Sequence, residues 1–234
     1  MTEFNILTLF PEMFASFTDT SICARAISSS LISVNLWNFR DYTLDKHRRV
    51  DDYPFGGGAG MLIAPQSVFD CFNAISEQNS DKKSINIYMS PAGKTLSPAL
   101  SKELSEYECV NILCGHYEGV DQRIIDELID LEVSIGDYVL TGGELPSMVL
   151  MDCVMRNIPG VLGNELSAQD ESFSGSGLLE YPQYTRPADF RGLKVPDVLL
   201  SGHHANIQEW QHKKSIEKTI KNRPDLYEKY LKNL

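Results

Sequence analysis

Three short apolar runs in this chain are each followed directly by a segment that contains glycine. These segments span residues 88–93, 115–119 and 134–144. Open α/β sheets bind ligands just outside the carboxyl ends of their strands, where glycine lets the backbone come close to a flat or charged group. The pattern therefore predicts an α/β fold with a nucleotide-like cofactor pocket built from these three segments.

Short apolar or β-branched runs alternate with stretches of helical periodicity along the chain. This alternation is typical of βαβ units, and it predicts a parallel sheet covered by helices on both faces. Pro65 and Pro98 support two of the helix starts, because proline suits the first helical turn. The predicted strands lie near 4–9, 31–37, 84–89, 109–113 and 132–135, and the predicted helices near 19–29, 65–78, 97–106, 120–128 and 144–157.

The composition changes after the predicted sheet. Residues 163–177 are rich in serine, glycine and acids and have almost no apolar periodicity, which predicts a flexible linker. Beyond it, apolar residues spaced as on one helix face favour a helix around Trp210, and Pro224 starts another. We therefore expect a first domain over 1–162, a linker over 163–177 and a small helical domain over 178–234.

The net charge of −11 argues against indiscriminate nucleic-acid binding, because affinity for phosphate rises with the number of cations brought to it. Two local clusters differ from this average. Residues 203–234 hold seven Lys or Arg against four acids, and Lys46, Arg48 and Arg49 lie close together. A solvated helix face and a solvated loop are the ordinary explanations of such clusters, so charge alone does not predict RNA binding.

Cysteine usage and the N-terminus indicate a cytoplasmic protein without a membrane segment. The five cysteines are odd in number and never spaced Cys-x-x-Cys, which favours reduced thiols and gives no zinc pattern. Residues 1–10 carry an acid where a signal peptide requires a basic start, and Pro11 ends the apolar run. No apolar run approaches the length of a membrane span.

Two other glycine patterns carry less information. Ala92-Gly93-Lys94-Thr95 resembles the end of a phosphate-binding P-loop, but that loop requires a glycine five positions before Gly93, where this chain has Tyr88. The glycine cluster in 56–60 lacks the G-x-G-x-x-G order of a dinucleotide-binding turn. It is either a flexible loop or a hinge that lets backbone approach a ligand.

Several charged residues near these segments have more than one interpretation. Glu118 and Asp137 lie within glycine segments, where a carboxylate can position a ribose, a cationic cofactor or a metal, or can simply be solvated. Arg156 ends a long apolar helix, where a cation can merely complement the helix C-terminus. Asp170 and Glu171 fall in the polar linker, where acids are ordinarily solvated.

Several long motifs in a fixed order are far more specific than any single glycine pattern. In chain order they are Phe10-Pro11-Glu12-Met13-Phe14, Val50-Asp51-Asp52-x-Pro54-x-Gly56-Gly57-Gly58-x-Gly60-Met61, Gly115-x-Tyr117-Glu118-Gly119-x-Asp121, Ser134-Ile135-Gly136-Asp137-Tyr138-Val139-Leu140-x-Gly142-Gly143-Glu144-Leu145-Pro146 and Tyr184-Thr185-Arg186-Pro187. With these motifs the chain resembles the bacterial TrmD family of tRNA (guanine-N1)-methyltransferases over nearly its whole length.

This resemblance implies a SPOUT-class methyltransferase whose parallel sheet ends in a deep C-terminal trefoil knot that binds S-adenosylmethionine. It also implies a homodimer, with each active site shared between the knot of one subunit and the C-terminal, tRNA-binding domain of the other. The implied reaction is methylation of guanosine 37 of tRNA at N1. True knots are so rare that no argument from composition predicts one.

The resemblance also assigns residues to the cofactor. By matching position, the S-adenosylmethionine site comprises Tyr88, Ser90, Pro91, Gly115, Tyr117, Glu118, Gly119, Ser134, Ile135, Gly136, Asp137, Tyr138, Val139, Leu140, Gly142, Gly143 and Pro146. Family members are also described as needing magnesium, and Glu118 is then the candidate ligand, although no metal-ligand spacing supports that assignment.

Catalytic roles follow from guanine N1, which carries a proton and is a poor nucleophile. Methyl transfer needs a base at N1 and a group that stabilises negative charge growing toward O6. The family's base is an aspartate directly before Ser-Phe; this chain has Glu171 there and Asp170 one residue earlier, so both are candidates, with Glu171 preferred. Arg156 matches the family's arginine. The resemblance implies substrate contacts by Gly60, Asp51 and Arg186.

Three other functions are compatible with the residues alone. They are methylation of ribosomal RNA by the same fold, RNA binding by a relative that has lost catalysis, and a nucleotide-phosphate enzyme that uses the glycine segments. The departure at Glu171 is the one feature that favours the loss of catalysis.

Overall fold

The structure is a computed structural model and describes residues 1–163 and 171–232. It separates into two compact units, Met1–Gly163 and Asn164–Leu234. Within the described residues, no helix is long and apolar enough to cross a bilayer.

The first unit is built on a five-stranded sheet in which every neighbouring pair of strands is parallel. The strands, in the order β2-β1-β6-β5-β7, are β2 Ile32–Asn38, β1 Thr2–Thr8, β6 Cys109–Leu113, β5 Ser84–Thr95 and β7 Leu131–Ser134. A separate antiparallel ribbon pairs β3 Asp51–Asp52 with β4 Leu62–Ile63. The central strands β1 and β6 are buried along almost their whole length, which explains why most of their residues are apolar.

Helices cover both faces of this sheet. Side chains alternate between the faces along each strand, so Ile6 faces one core and Leu7 the other. The helices that pack on the Ile6 face are α2 Ser21–Ser28, α4 Pro98–Leu104 and α6 Glu144–Met155. Those on the Leu7 face are α3 Pro65–Gln78 and α5 Gln122–Leu128. Short turns of helix also occur at α1 Ala15–Thr18 and, in 3-10 form, at Pro11–Phe14 and Phe39–Tyr42.

The α/β class and the parallel sheet covered on both faces are confirmed, with one difference at β5. The segment 90–93, predicted as a loop, belongs to this strand, which continues to Thr95 through an irregularity between Met89 and Lys94. The continuation pairs again with β7, and a Cβ on Gly93 would lie 2.4 Å from the backbone carbon of Glu132. Glycine at this position therefore serves the close approach of two strands.

Four asparagines form a hydrogen-bonded row across the sheet on the Leu7 face. Asn35 donates to Asn5 (3.0 Å), Asn5 to Asn111 (3.0 Å) and Asn111 to Asn86 (2.8 Å), and each of these pairs is in register between neighbouring strands. Asn86 then donates to the backbone carbonyl of Leu128 at 2.8 Å. Since a slip of one residue moves every side chain to the other face, this row specifies the register of four strands.

The second unit contains a hairpin and helices. The elements are β8 Asp189–Phe190, β9 Leu193–Lys194, α7 Asp197–Leu200, α8 His204–Asn222 and α9 Pro224–Lys232. Helix α8 anchors the segment that precedes the hairpin: the buried hydroxyl of Thr219 accepts from the Leu179 amide at 2.9 Å, and Lys218 donates to the Glu180 carbonyl at 2.8 Å. The β8–β9 hairpin was not predicted from the sequence.

Candidate functional site

A cavity of about 220 Å³ opens at the carboxyl ends of β5, β6 and β7, which are neighbours in the sheet. The three glycine segments form its wall. Of the residues assigned to the cofactor from the sequence, Asp137 alone does not line this cavity. The lining residues are Tyr88, Met89, Ser90, Pro91, Gly115, His116, Tyr117, Glu118, Gly119, Val133, Ser134, Ile135, Gly136, Tyr138, Val139, Leu140, Thr141, Gly142, Gly143 and Pro146. The structure thus brings together residues that are up to 58 positions apart (146 − 88).

Two of the glycine segments touch each other backbone to backbone. The Gly143 amide donates to the Gly115 carbonyl at 2.9 Å, and His116 forms an antiparallel bridge with Gly142. A Cβ on Gly143 would lie 2.6 Å from Cys114 Cα and 2.8 Å from the Gly115 amide nitrogen. A side chain at position 143 would therefore push apart two segments that both line the cavity.

A buried carboxylate holds this junction in place. Glu144, the first residue of α6, is 1% exposed. It accepts a hydrogen bond from the Thr8 hydroxyl at 2.6 Å, and its other oxygen lies 2.7 Å from His116 Nε2. The contacts connect the end of β1, the 115–119 segment and the start of α6, and a carboxylate also suits the positive end of a helix. Sequence reasoning missed this role, because an acid at a helix start has an ordinary explanation.

Two buried titratable groups at the cavity, Tyr88 and Cys114, are neutral at physiological pH. Burial, with a smaller contribution from Glu132, raises the pKa of Tyr88 to about 12. Burial and the neighbouring Glu144 raise the pKa of the Cys114 thiol well above its ordinary value, against a weaker opposing effect of its hydrogen bond with Ser147. Thiols and phenols act as nucleophiles or bases in their deprotonated forms, so neither Cys114 nor Tyr88 suits such a role.

The rim of the cavity is formed by partly exposed side chains. Tyr117 and Tyr138 are each about half exposed, and the Glu118 amide donates to the Met61 carbonyl at 3.0 Å. A Cβ on Gly60 would lie 2.4 Å from Glu118 Cγ, and Gly60 also has φ +85°, which favours glycine. Two predicted substrate residues are thus attached to the rim: Gly60 directly, and Asp51 through its pairing with Ile63 in the β3–β4 ribbon.

Arg156 and the cavity lie at opposite ends of α6. Gly143 and Pro146, at the start of this helix, line the cavity, whereas Arg156 is the residue that caps its end. The helix has 12 residues, which at 1.5 Å per residue separates its ends by roughly 18 Å. Within one chain, the structure therefore does not bring Arg156 to the predicted cofactor residues.

The predicted base belongs to the second unit. Glu171 lines a polar cavity of about 330 Å³ together with Gln208, Gln211 and His212 of α8. Its backbone carbonyl accepts a hydrogen bond from the Ser174 amide at 3.1 Å. Arg186, a predicted substrate residue of the same unit, is exposed. Asp170, the alternative base, lies outside the described residues, as do residues 164–169 of the predicted linker.

No grouping in the described ranges 1–163 and 171–232 unites three His, Cys, Asp or Glu side chains that could hold a metal ion. Glu118, the candidate magnesium ligand, is exposed at the rim. Any ion bound there would need most of its ligands from water or from bound molecules, which is the usual mode of magnesium binding.

Comparison with known proteins gives consistent matches over nearly the whole chain. A family model described as tRNA (Guanine-1)-methyltransferase TrmD matches residues 2–229. A protein of Ruminiclostridium cellulolyticum named tRNA (guanine-N(1)-)-methyltransferase is 59% identical over 227 residues, which are 97% of each chain. Proteins of the same name from Clostridioides difficile and Listeria monocytogenes serovar 1/2a are 52% and 51% identical, over 97% of this chain and 98% and 93% of theirs.

Proposed function

The chain belongs to the tRNA (guanine-1)-methyltransferase TrmD family, and on this premise we propose that it transfers a methyl group from S-adenosylmethionine to N1 of guanosine 37 in tRNA. It is an enzyme. The observation that carries the proposal is the cavity at the ends of β5, β6 and β7, which is lined by all but one of the residues assigned to the cofactor from the sequence.

The residues of this cavity suit S-adenosylmethionine. Leu140, Ile135 and Pro146 offer apolar contact to an adenine ring, and the glycines let backbone amides and carbonyls approach its polar edge. Neutral Tyr88 can donate or accept a hydrogen bond without bringing charge. When bound, S-adenosylmethionine supplies a methyl group made electrophilic by the positive sulfonium to which it is attached. The cavity residues orient that group and exclude water from it.

The remaining chemistry is assigned to Glu171 and Arg156. The Glu171 carboxylate accepts the N1 proton of guanine while N1 forms its bond to the methyl carbon and the carbon–sulfur bond breaks. The Arg156 guanidinium donates hydrogen bonds to O6, where negative charge grows. Asp170 is kept as the alternative base. Gly60, Asp51 and Arg186 are proposed to contact the tRNA.

We propose that the active site is completed by a second copy of the chain. Arg156 lies roughly 18 Å from the cavity along α6, so an arginine at the cavity has to come from elsewhere. Apolar side chains that a second copy would cover are exposed on α6 and on the adjoining 3-10 turn: Leu145, Val149, Phe10 and Met13. The proposed homodimer thus places the base and the arginine opposite a cofactor in a shared site.

Further features are proposed from the family. They are a SPOUT-type trefoil knot, supported by the backbone contact between Gly143 and Gly115, and a magnesium ion near Glu118. We also propose a cofactor-binding domain over 1–162 and a tRNA-binding domain over 178–234, connected by the linker 163–177. A cytoplasmic location follows from the tRNA substrate.

Methylation of tRNA transcripts tests the proposed function. With S-adenosylmethionine, the wild-type chain should give 1-methylguanosine at position 37, and a transcript in which guanosine 37 is replaced should stay unmodified. Glu171→Gln should lower kcat by at least 100-fold, and Asp170→Asn should change it little. Methylation of ribosomal RNA alone would refute the substrate, and full activity of both variants and of the double variant would refute the assignment of the base.

A further inference from the structure

Two aromatic side chains in the segment that joins β3 to β4 are largely exposed. Phe55 is 102% exposed and Tyr53 is 77% exposed. Single exposed apolar side chains are ordinary. Aromatic rings, however, usually bury a large area, and here two of them within three positions are exposed. Their exposure indicates that they contact something outside this unit.

The backbone presents Phe55 outward through a hydrogen-bonded turn. The Gly57 amide donates to the Pro54 carbonyl at 3.3 Å, which makes Phe55 and Gly56 the two central residues. Gly56 has φ +87°, the value that the third position of a type II turn requires. Phe55 thus occupies the second position of this turn, where it is fully exposed.

This turn is attached to the rim of the cavity. Gly60 packs against Glu118, the Glu118 amide donates to Met61, and the Ile63 amide donates to the Gly119 carbonyl at 3.0 Å. Phe55 is five positions from Gly60, so its Cα can lie no more than about 18 Å from the rim. A substrate whose reacting base enters the cavity would have its neighbouring nucleotides within reach of this ring.

Charge indicates which part of an RNA the segment would bind. Lys46, Arg48 and Arg49 precede the turn, but Arg48 pairs with Asp41 and Arg49 with Asp45 at 3.3 Å. Two further acids, Asp51 and Asp52, follow them. With four acids against three cations over residues 41–52, the segment has no excess of positive charge for phosphates. The segment instead exposes the aromatic faces of Phe55 and Tyr53, and unpaired bases stack on such faces.

We propose that Phe55 is a stacking platform for an unpaired base next to the target guanosine, with Tyr53 as a second, weaker contact. The inference rests on the proposed function, because it takes a tRNA loop as the substrate. The ring holds the nucleotide beside the target, and this positions the target base at the cavity. Phe55 is thus a substrate-binding residue that discriminates unpaired from paired RNA.

Substitutions at position 55 test this proposal against a matched control. Phe55→Leu keeps an apolar side chain but removes the flat face, whereas Phe55→Trp keeps a face. The loss of one stacked base, at about 1–3 kcal/mol, corresponds to roughly a 5- to 150-fold weaker interaction. We expect Phe55→Leu to raise KM for tRNA within that range with KM for S-adenosylmethionine unchanged, and Phe55→Trp to stay near wild type. Leu44→Ala, which removes another exposed apolar side chain (84% exposed), should have no effect.

Two further measurements separate stacking from other roles of the ring. The dependence of tRNA binding on salt should keep its slope in Phe55→Leu, because no phosphate contact is lost. A tRNA carrying 2-aminopurine next to position 37 should be quenched on binding to wild type and to Phe55→Trp, and less so by Phe55→Leu. Equal losses in Phe55→Leu and Leu44→Ala, or dissociation of a dimer by Phe55→Leu, would overturn the proposal. Methylation by the wild-type chain reports on the proposed function independently of these outcomes.

Discussion

Replacing Gly143 by alanine tests the contact between the two glycine segments most sharply. The added Cβ would lie 2.6 Å from Cys114 Cα, whereas carbon atoms in contact are roughly 3.5–4.0 Å apart. Both nearest groups are backbone, so the segments themselves have to separate by about 1 Å. Overpacking of this kind costs about 1–3 kcal/mol, and a less flexible unfolded chain returns about 0.4–1 kcal/mol. We therefore expect a net destabilisation of about 1–2 kcal/mol, or a Tm lowered by about 2–8 °C.

The same separation should weaken cofactor binding, because both segments line the cavity. At a ligand concentration of 100 times Kd, S-adenosylmethionine should stabilise the wild-type chain by about 2.7 kcal/mol, and a 10-fold weaker Kd would reduce this to about 1.4 kcal/mol. Thermal unfolding with and without the cofactor measures both effects. Gly163→Ala is the matched control, since its Cβ would meet nothing within 4 Å. If Gly143→Ala matched Gly163→Ala in stability and in cofactor shift, the contact as described would be wrong.

Three other predictions concern the first unit. Asn111→Leu should cost about 1–3 kcal/mol of unfolding free energy in urea, because it removes the hydrogen bond that Asn111 accepts from Asn5 and the one that it donates to the partly buried Asn86. An unchanged midpoint would contradict this role. Cys114 is buried, and burial raises its thiol pKa, so under native conditions at pH 8 it should resist iodoacetamide. The partly exposed Cys153 should react first. Mass spectrometry of the labelled peptides measures the order of reaction. Burial disfavours the charged form of Glu3, but hydrogen bonds from Lys82 and two asparagines outweigh it and lower its pKa. The stability that this pair contributes is therefore present above the ordinary Glu pKa near 4.5 and is lost as the pH falls through the lowered pKa. Lys82→Met should reduce the free energy of unfolding at pH 7 by less than about 1 kcal/mol. It should also make that free energy depend less on pH in the acid range.

The sheet could be predicted because each strand has a recognisable local sequence pattern. The strand positions follow from short apolar runs, and the helices between them from their period, so the parallel arrangement results from general rules. The asparagine row was missed although it left a signal: Asn5, Asn35, Asn86 and Asn111 each interrupt a strand with a polar residue. Which of these residues meet depends on strand order, which local pattern does not specify.

The candidate site likewise contains features that the local sequence predicts and features that it does not. The glycine segments could be predicted from the sequence, because each comes after a short apolar run. The pairing of Glu144 with His116 and Thr8 joins residues up to 136 positions apart, and none of the three has an unusual local context. The irregular end of β5 was also missed, because a strand that resumes after an interruption looks like a loop. These features depend on which distant segments of the chain meet in the fold, and short-range periodicity contains no information about such contacts.

Complementation between two defective variants tests the shared active site most directly. Arg156→Ala removes the arginine, and Leu140→Arg, at a partly exposed position in the cavity, adds a charge that repels a sulfonium. Each variant alone should be nearly inactive. A purified heterodimer of the two combines one intact cavity with the intact Arg156 of the other subunit, so it should regain about half of the wild-type rate of guanosine 37 methylation. A heterodimer as inactive as its parents would show that the cavity and Arg156 act within one chain, contrary to their separation along α6.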